Sequence, residues 1–186
     1  MPKDDLIVLT GGAGFIGSCF LWKLNHEGHK NILIVDERRF MSDCINLKGK
    51  KFVDYIEKED FLANLKKGKI PKGISAIFHI GACSDTTQSD EAYMMKNNYE
   101  YSKILAEWAL KNDVICQYAS SAATYGDGSK GFSDSDSEMP KLKPLNLYGL
   151  SKQRFDMWLL ENKLTSKVVG YKSSQPVRHR IQSLPY

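Results

Sequence analysis

Apolar residues fall along this chain in short unbroken runs, and each run stops at a glycine or an acid. Leu6-Ile-Val-Leu9 leads into Thr10 and a glycine cluster, Ile32-Leu-Ile-Val35 into Asp36, and Ala76-Ile-Phe-His-Ile80 into Gly81. Runs of four or five apolar residues without alternation predict strands covered on both faces. Between them the apolar spacing changes to three and four. Phe15, Ile16, Cys19, Phe20 and Leu24 predict a helix that Gly28 ends. A strand near Phe52 and Val53 is expected next, then a short helix over 57–67. A long amphipathic stretch over 90–111 carries Tyr93, Met94, Ile104, Leu105 and Trp108, and is followed by a strand over 114–119 and a helix over 148–164. Alternating strands and helices predict an α/β fold: a Rossmann-type, doubly wound parallel sheet with helices on both faces. Residues 127–146, rich in Gly, Ser, Asp and Pro, are too long for a plain connection, and a flap beside the site is their expected role.

Composition narrows the class further. The 186 residues are 42% hydrophobic and 26% charged, which suits one ordinary globular domain. The net charge of +4 comes mostly from scattered lysines, with dense clusters only at Lys48-Gly-Lys50-Lys51 and Lys66-Lys67-Gly-Lys69. Such runs read as solvated loops and helix ends, so no nucleic-acid partner is expected. No segment approaches the roughly 18 apolar residues of a membrane span, and the charged start lacks a signal peptide's apolar stretch. Cys19, Cys44, Cys83 and Cys116 sit far apart without a C-x-x-C pair, which reads as reduced thiols in a cytoplasmic protein with no metal site.

The chemistry begins at Thr10-Gly-Gly-Ala-Gly-Phe-Ile-Gly17, between the first strand and the first helix. A turn this tight favours a residue without a Cβ at Gly11. Gly14 lets a pyrophosphate approach the backbone, and Gly17 lets the helix pack closely on the sheet. The helix N-terminus offers free N–H groups and a positive dipole end to phosphate. Glycine turns are common, but this one has a strand before it, a helix after it and Asp36 ending the second strand, the context of a dinucleotide site. Asp36 can accept hydrogen bonds from the adenosine ribose and would repel a 2′-phosphate, which favours NAD. Arg38 and Arg39 follow at once and can clamp that phosphate. The balance falls to NADP, with NAD as the alternative.

Tyr148-Gly-Leu-Ser-Lys152 opens the last predicted helix and puts phenol and ammonium one turn apart on one face. An ammonium beside the phenol favours phenolate, which would suit Tyr148 to acid/base work on a hydroxyl. The spacing alone is uninformative: with 9 Tyr and many lysines, about one such pair arises by chance. A second exists at Tyr99 and Lys103. Position separates them, because Tyr148 follows the carboxyl end of the strand at 114–119, where open α/β sheets hold ligands. Ser121, just beyond that strand, can hydrogen-bond the reacting oxygen. Tyr99 is expected to pack.

Together these signatures resemble the extended short-chain dehydrogenase/reductase family, and within it the nucleotide-sugar epimerases that act on an ADP-heptose. Three further motifs carry the likeness: Phe78-His-Ile-Gly-Ala-Cys-Ser-Asp-Thr-Thr87, Tyr93-Met-Met-Lys-Asn-Asn-Tyr99 and Tyr118-Ala-Ser-Ser-Ala-Ala-Thr-Tyr-Gly126. Leu145-Asn-Leu-Tyr-Gly-Leu-Ser-Lys152 completes it. The resemblance implies an NAD(P)-binding domain over 1–172. Gly11, Gly14, Phe15, Ile16, Gly17, Asp36, Glu37, Lys58, Ile80, Gly81, Ala82, Cys83, Ser84, Asn97 and Lys152 would contact the cofactor. Ser121, Tyr148 and Lys152 would do the chemistry on an ADP-heptose or related sugar nucleotide. It further implies NADP, a hydride taken from a heptose carbon and returned to the opposite face, a role in lipopolysaccharide core synthesis, and homo-oligomers among full-length relatives.

Two departures from the family pattern stand out. Asp43 replaces a lysine expected for the cofactor phosphate. After Lys172, the family continues with an Asn-x-Tyr-Gly-Pro segment, a second catalytic lysine and a substrate domain, whereas here residues 173–186 follow a different sequence and the chain stops. The fragment alone is therefore expected to be inactive. Other readings are a different sugar-nucleotide epimerase or dehydratase, and a non-catalytic NAD(P)-binding module. Codons for Gln175 to Ser183 can be chosen so that the frame one base later spells Asn-Leu-Tyr-Gly-Thr-Glu-Tyr-Ser, which points to a frameshift. Sequencing the gene tests this: a downstream frame encoding the missing half is expected, and its absence rejects the frameshift.

Overall fold

The computed structural model describes residues 1–37, 39 and 44–173. Arg38, Asp43 and residues 174–186 therefore lie outside the described residues, and with them half of the arginine clamp and most of the divergent tail. The described chain runs β1 (Leu6–Thr10), α1 (Phe15–His26), β2 (Ile32–Asp36), a 3-10 turn (Ile45–Leu47), β3 (Asp54–Glu57), α2 (Lys58–Lys66) and β4 (Ile74–His79). It continues through α3 (Glu91–Met94), a π-helical segment (Met95–Glu100), α4 (Tyr101–Lys111), β5 (Ile115–Ser121), 3-10 turns at Ala122–Tyr125 and Met139–Lys141, α5 (Leu147–Glu161) and β6 (Val168–Ser173). The strands form one sheet in the order β3-β2-β1-β4-β5-β6, and every pairing is parallel. This is the expected doubly wound Rossmann order.

The unbroken apolar runs follow from two-sided burial. Ile7 and Leu9 of β1, with Ile32 and Ile34 of β2, face one layer with Leu21 and Leu24 of α1. Val8, Leu33, Val35 and Ile77 face the other, against Phe61 of α2, Leu105 and Ala109 of α4, and Phe155 and Leu159 of α5. Each fully buried Leu, Ile or Phe side chain stabilises the fold by roughly 1.5–3 kcal/mol. α2 and α5 start where polar side chains cap them: Glu57 accepts from the N–H groups of Glu59 and Asp60, and Asn146 accepts from Gly149 N at 2.8 Å.

Three boundaries differ from expectation. β3 begins at Asp54 instead of near Phe52, because it is an edge strand paired only with β2, from Leu33↔Asp54 to Asp36↔Glu57. β6 was not anticipated. It lies beside β5 at the opposite edge and buries only Val168 well, so no apolar run announces it. The amphipathic stretch over 90–111 is helical but contains six residues of π-helix. The segment over 127–146 is not a flap: Gln153 of α5 donates to Met139 O at 3.3 Å and Leu142 O at 2.7 Å, Met139 and Leu142 are buried, and none of its residues lines the cleft described below.

One contact locks the two central crossovers together. Gly11 has φ +70°, and a Cβ there would lie 2.5 Å from Gly81 N and 2.6 Å from its Cα. Gly11→Ala is thus expected to lower stability by about 1–3 kcal/mol, through both the left-handed φ and the backbone clash. Urea denaturation checks this. A variant as stable as the parent would show that the two turns can part.

Candidate active site

The carboxyl ends of β1 and β4 are neighbours in the sheet, but α1 packs on one face while α2, α4 and α5 pack on the other. A crevice must open where the two directions diverge. It is a cleft of about 370 Å³ lined by Gly11, Gly14, Phe15, Ile16, Gly17, Asp36, Glu37, Ile80, Gly81, Ala82, Ser84, Ser121, Tyr148 and Lys152. A recess of about 50 Å³ continues it, sharing Gly11, Asp36, Glu37, Gly81 and Ala82 and adding Lys58, Cys83 and Asn97. Among the described residues, the expected cofactor-binding and catalytic residues thus all line one or the other of these adjoining spaces.

The glycine turn leaves room and donors. α1 begins after Gly14 with neither a side-chain cap nor an acid in its first turn, so its leading N–H groups face the cleft without an intramolecular anion. Gly17 serves the turn more than the sheet: a Cβ there would stand 2.0 Å from Gly11 O and 2.9 Å from Gly12 Cα. Phe15 and Ile16, 47% and 43% exposed, present apolar surface along the cleft wall. These features fit a dinucleotide diphosphate.

At the far end Asp36 is held by two backbone donors, Ala13 N at 2.9 Å to Oδ2 and Glu37 N at 2.8 Å to Oδ1. Burial pushes its carboxyl upward, and those two bonds oppose the shift. Glu37 meets Arg39 Nε at 2.5 Å and Lys58 Nζ at 3.4 Å. Lys58 also donates to Asn97 Oδ1 at 2.9 Å. Two carboxylates and two cations therefore meet at the end of β2.

At the other end Tyr148, Ser121 and Lys152 come together. The phenol of Tyr148 and the hydroxyl of Ser121, which accepts from Ala123 N at 3.1 Å, both line this end of the cleft. Lys152 does not act on the phenol as expected. Its Nζ donates to Ala119 O at 2.8 Å, and burial pushes the Tyr148 phenol above its ordinary value, with Ser121 opposing the shift. Burial also brings the Lys152 amine down to about 8. The rival pair is spent elsewhere: Tyr99 packs on the core, and Lys103 reaches Glu107 at 3.7 Å and the Trp158 ring at 5.6 Å.

Sequence reasoning missed the polar scaffold behind this wall. Ser102 Oγ donates to the Asn98 carbonyl and so accepts from His79 Nε2–H at 2.7 Å. Burial, with the nearby Lys152 charge, lowers the pKa of the ring to about 3 and keeps it neutral. The bare Nδ1 then accepts from Thr10 Oγ1 at 2.6 Å, and the same oxygen accepts from Gly81 N at 3.1 Å. Asn98 clamps the backbone of Cys83, accepting from its N–H at 2.8 Å and donating to its C=O at 2.9 Å, and donates to Ser151 Oγ of α5 at 2.9 Å. The π-helical turn makes this reachable by aiming Asn97 at Lys58 and Asn98 into the interior. A histidine inside an apolar strand was the one available signal.

The parallel order and the crevice at the sheet's turning point define a Rossmann-type nucleotide-binding domain. Over residues 7–169 the chain matches the model of the NAD dependent epimerase/dehydratase family, and it belongs to that family. It is 46% identical over 153 residues to an ADP-L-glycero-D-manno-heptose-6-epimerase of Nitratidesulfovibrio vulgaris, covering 82% of this chain and 47% of that protein. A Fusobacterium nucleatum protein of the same name is 44% identical over 164 residues, 85% of this chain and 48% of the relative. The crystal structure of the Helicobacter pylori ADP-L-glycero-D-manno-heptose-6-epimerase superposes with a TM-score of 0.69 at 30% identity, covering 86% of this chain and 51% of that one. The chain spans about half the length of the curated relatives it matches.

The neutral His79 has a consequence for stability. Its folded pKa of about 3 lies below its unfolded value of 6.5, so the unfolded chain binds the proton first as pH falls. Stability is lost between 6.5 and 3, by up to about 1.4 kcal/mol per pH unit from this group. Urea unfolding of the parent and His79→Asn should show a constant gap above pH 7 that narrows below 6.5. A gap that stays constant to pH 4 contradicts the assignment.

Proposed function

We propose that this chain is the cofactor-binding and acid/base portion, residues 1–172, of an NADP-using epimerase acting on an ADP-heptose in lipopolysaccharide core synthesis. The observation that carries the reading is the single cleft joining the glycine turn at Gly11 to Tyr148 and Ser121. The heptose-epimerase name of the relatives supplies the substrate. Gly11, Gly14 and the start of α1 hold the diphosphate on backbone N–H groups. Asp36 takes the adenosine ribose, and Lys58, Asn97 and the 80–84 turn close around it. The nicotinamide, when bound, supplies a reversible two-electron acceptor. Arg39 and Lys58, both already gathered around Glu37, favour a 2′-phosphate over a bare ribose.

In this reading Tyr148 takes the proton of the sugar hydroxyl and later returns it, while Ser121 holds the oxygen. The raised phenol keeps Tyr148 protonated at rest, so it serves first as a donor partner and ionises only when bound charge favours it. Lys152, ammonium at neutral pH and held on Ala119 O, is left to the cofactor.

Fluorescence titration tests the cofactor half. NADPH is expected to bind more tightly than NADH, and Arg39→Ala should weaken NADPH about tenfold with little change for NADH. Equal binding of the two in the parent would reassign the cofactor to NAD. For the chemistry, Tyr148→Phe in a chain joined to the family's second half should cut kcat by about 10²–10⁴ and leave NADPH affinity intact. Undiminished kcat would remove Tyr148 from the reaction.

A further inference from the structure

Among the described residues, only one lysine and one acid are buried, and they lie on the same helix one turn apart. Lys152 is 3% exposed and Asp156 is 1% exposed. A buried charge is stable only when it is compensated. Lys152 has a single hydrogen-bonding partner, the neutral carbonyl of Ala119. Asp156 does not form an ion pair with it. Its Oδ1 accepts from the Tyr118 phenol at 2.6 Å and its Oδ2 from Ser120 Oγ at 2.7 Å.

We propose that Asp156 is the counter-charge of Lys152, and that Tyr118 and Ser120 hold it back so that the ammonium stays ionised in the cleft without being drawn out of it. Asp156 is thus a positioning residue, acting through Lys152. The proposal rests on the reading of Lys152 as part of the site.

Alternate residues of β5 make the clamp. Tyr118 and Ser120 point to the α5 side of the strand, and the carbonyl between them, at Ala119, takes the lysine. The helix repeat then stacks Tyr148, Lys152 and Asp156 along the face that meets β5. A carboxylate whose two oxygens are occupied by rigid donors cannot swing onto its neighbour, yet its field still reaches across one turn.

The other charged and titratable neighbours do not replace it. His79 of β4 is a neutral ring. Lys172 of β6 also acts on Asp156, but it sits 4.0 Å from Asp134 and 4.8 Å over the Tyr125 ring. The Tyr125 phenol, from the turn after β5, is bound to Asp134. The field of Asp156 raises the Lys152 amine against its burial. Burial pushes the Asp156 carboxyl up, and the bonds from Tyr118 and Ser120, with the Lys172 and Lys152 charges, oppose that shift.

Carbon-13 labelling of the lysine side chains in the purified chain reads the Lys152 Cε titration directly. The parent midpoint is expected near 8. Asp156→Asn should move it down by about one pH unit or more, and Asp156→Glu should restore it. Should Asp156→Asn not fold, Ser120→Ala frees one carboxylate oxygen to approach the ammonium and should move the midpoint up. A midpoint unmoved in Asp156→Asn, or in Ser120→Ala where only that variant folds, overturns the proposal. NADPH titration across the same pH range separates it from the functional reading. Weaker binding of Asp156→Asn where its amine has become neutral supports both. A shifted midpoint with unchanged NADPH affinity keeps Asp156 as the counter-charge and removes Lys152 from the cofactor site.

Discussion

The backbone at Gly11 and the backbone at Gly81 approach so closely that the first turn leaves no space for a side chain between them. That contact ties the end of β1 to the end of β4 at the point where the flanking helices change sides. A crevice at such a point is a property of the topology, but its width is set by how near the two turns stand. Thr10 fixes the distance by accepting from Gly81 N while donating to His79, so the contact is held by a directed bond as well as by shape. The cleft, the recess and the wall carrying Tyr148 all take their position from this junction.

Behind the wall the interior is unusually polar for a sheet with apolar strands. His79, Asn98, Ser102, Ser151, Lys152 and Asp156 are buried, and each finds a partner. An unpartnered group there would cost about 1–3 kcal/mol, so the network works only as a complete set. Apolar packing of the same volume would be at least as stable. The polar version instead fixes the 81–83 backbone and the α5 register, which are the parts that border the cleft. Stability has been traded for placement, as is usual where a fold carries a site.

Much of this was legible in the sequence. The unbroken runs at Leu6-Ile-Val-Leu9 and Ile32-Leu-Ile-Val35 announced two-sided strands, and the glycines at 11, 14 and 17 announced the turn, because burial and steric exclusion act on residues next to one another in the chain. β6 was missed because an edge strand buries little and shows no run. The 127–146 segment was misjudged because its anchors, Met139 and Leu142, depend on Gln153, a partner that only the folded chain brings near. The effect of Lys152 on Tyr148 was misjudged for a related reason. Helical spacing placed the two side chains on one face but could not say that Ala119 would take the ammonium, or that burial would outweigh charge at the phenol.

The wide helical turn at Met95–Glu100 separates two tasks along what is otherwise one rod. The residues before and within it answer to the cleft, while Leu105, Ala106 and Ala109 beyond it answer to the sheet. The wide turn carries one extra residue without putting the two halves out of phase: six residues wound at roughly 80° each sweep nearly what five cover at about 100°. Losing one residue there would leave Leu105, Ala106 and Ala109 on the sheet, but it would take away the turn from which Asn97 and Asn98 reach different partners. The segment is therefore constrained by what it carries and not by the phase of the helix around it.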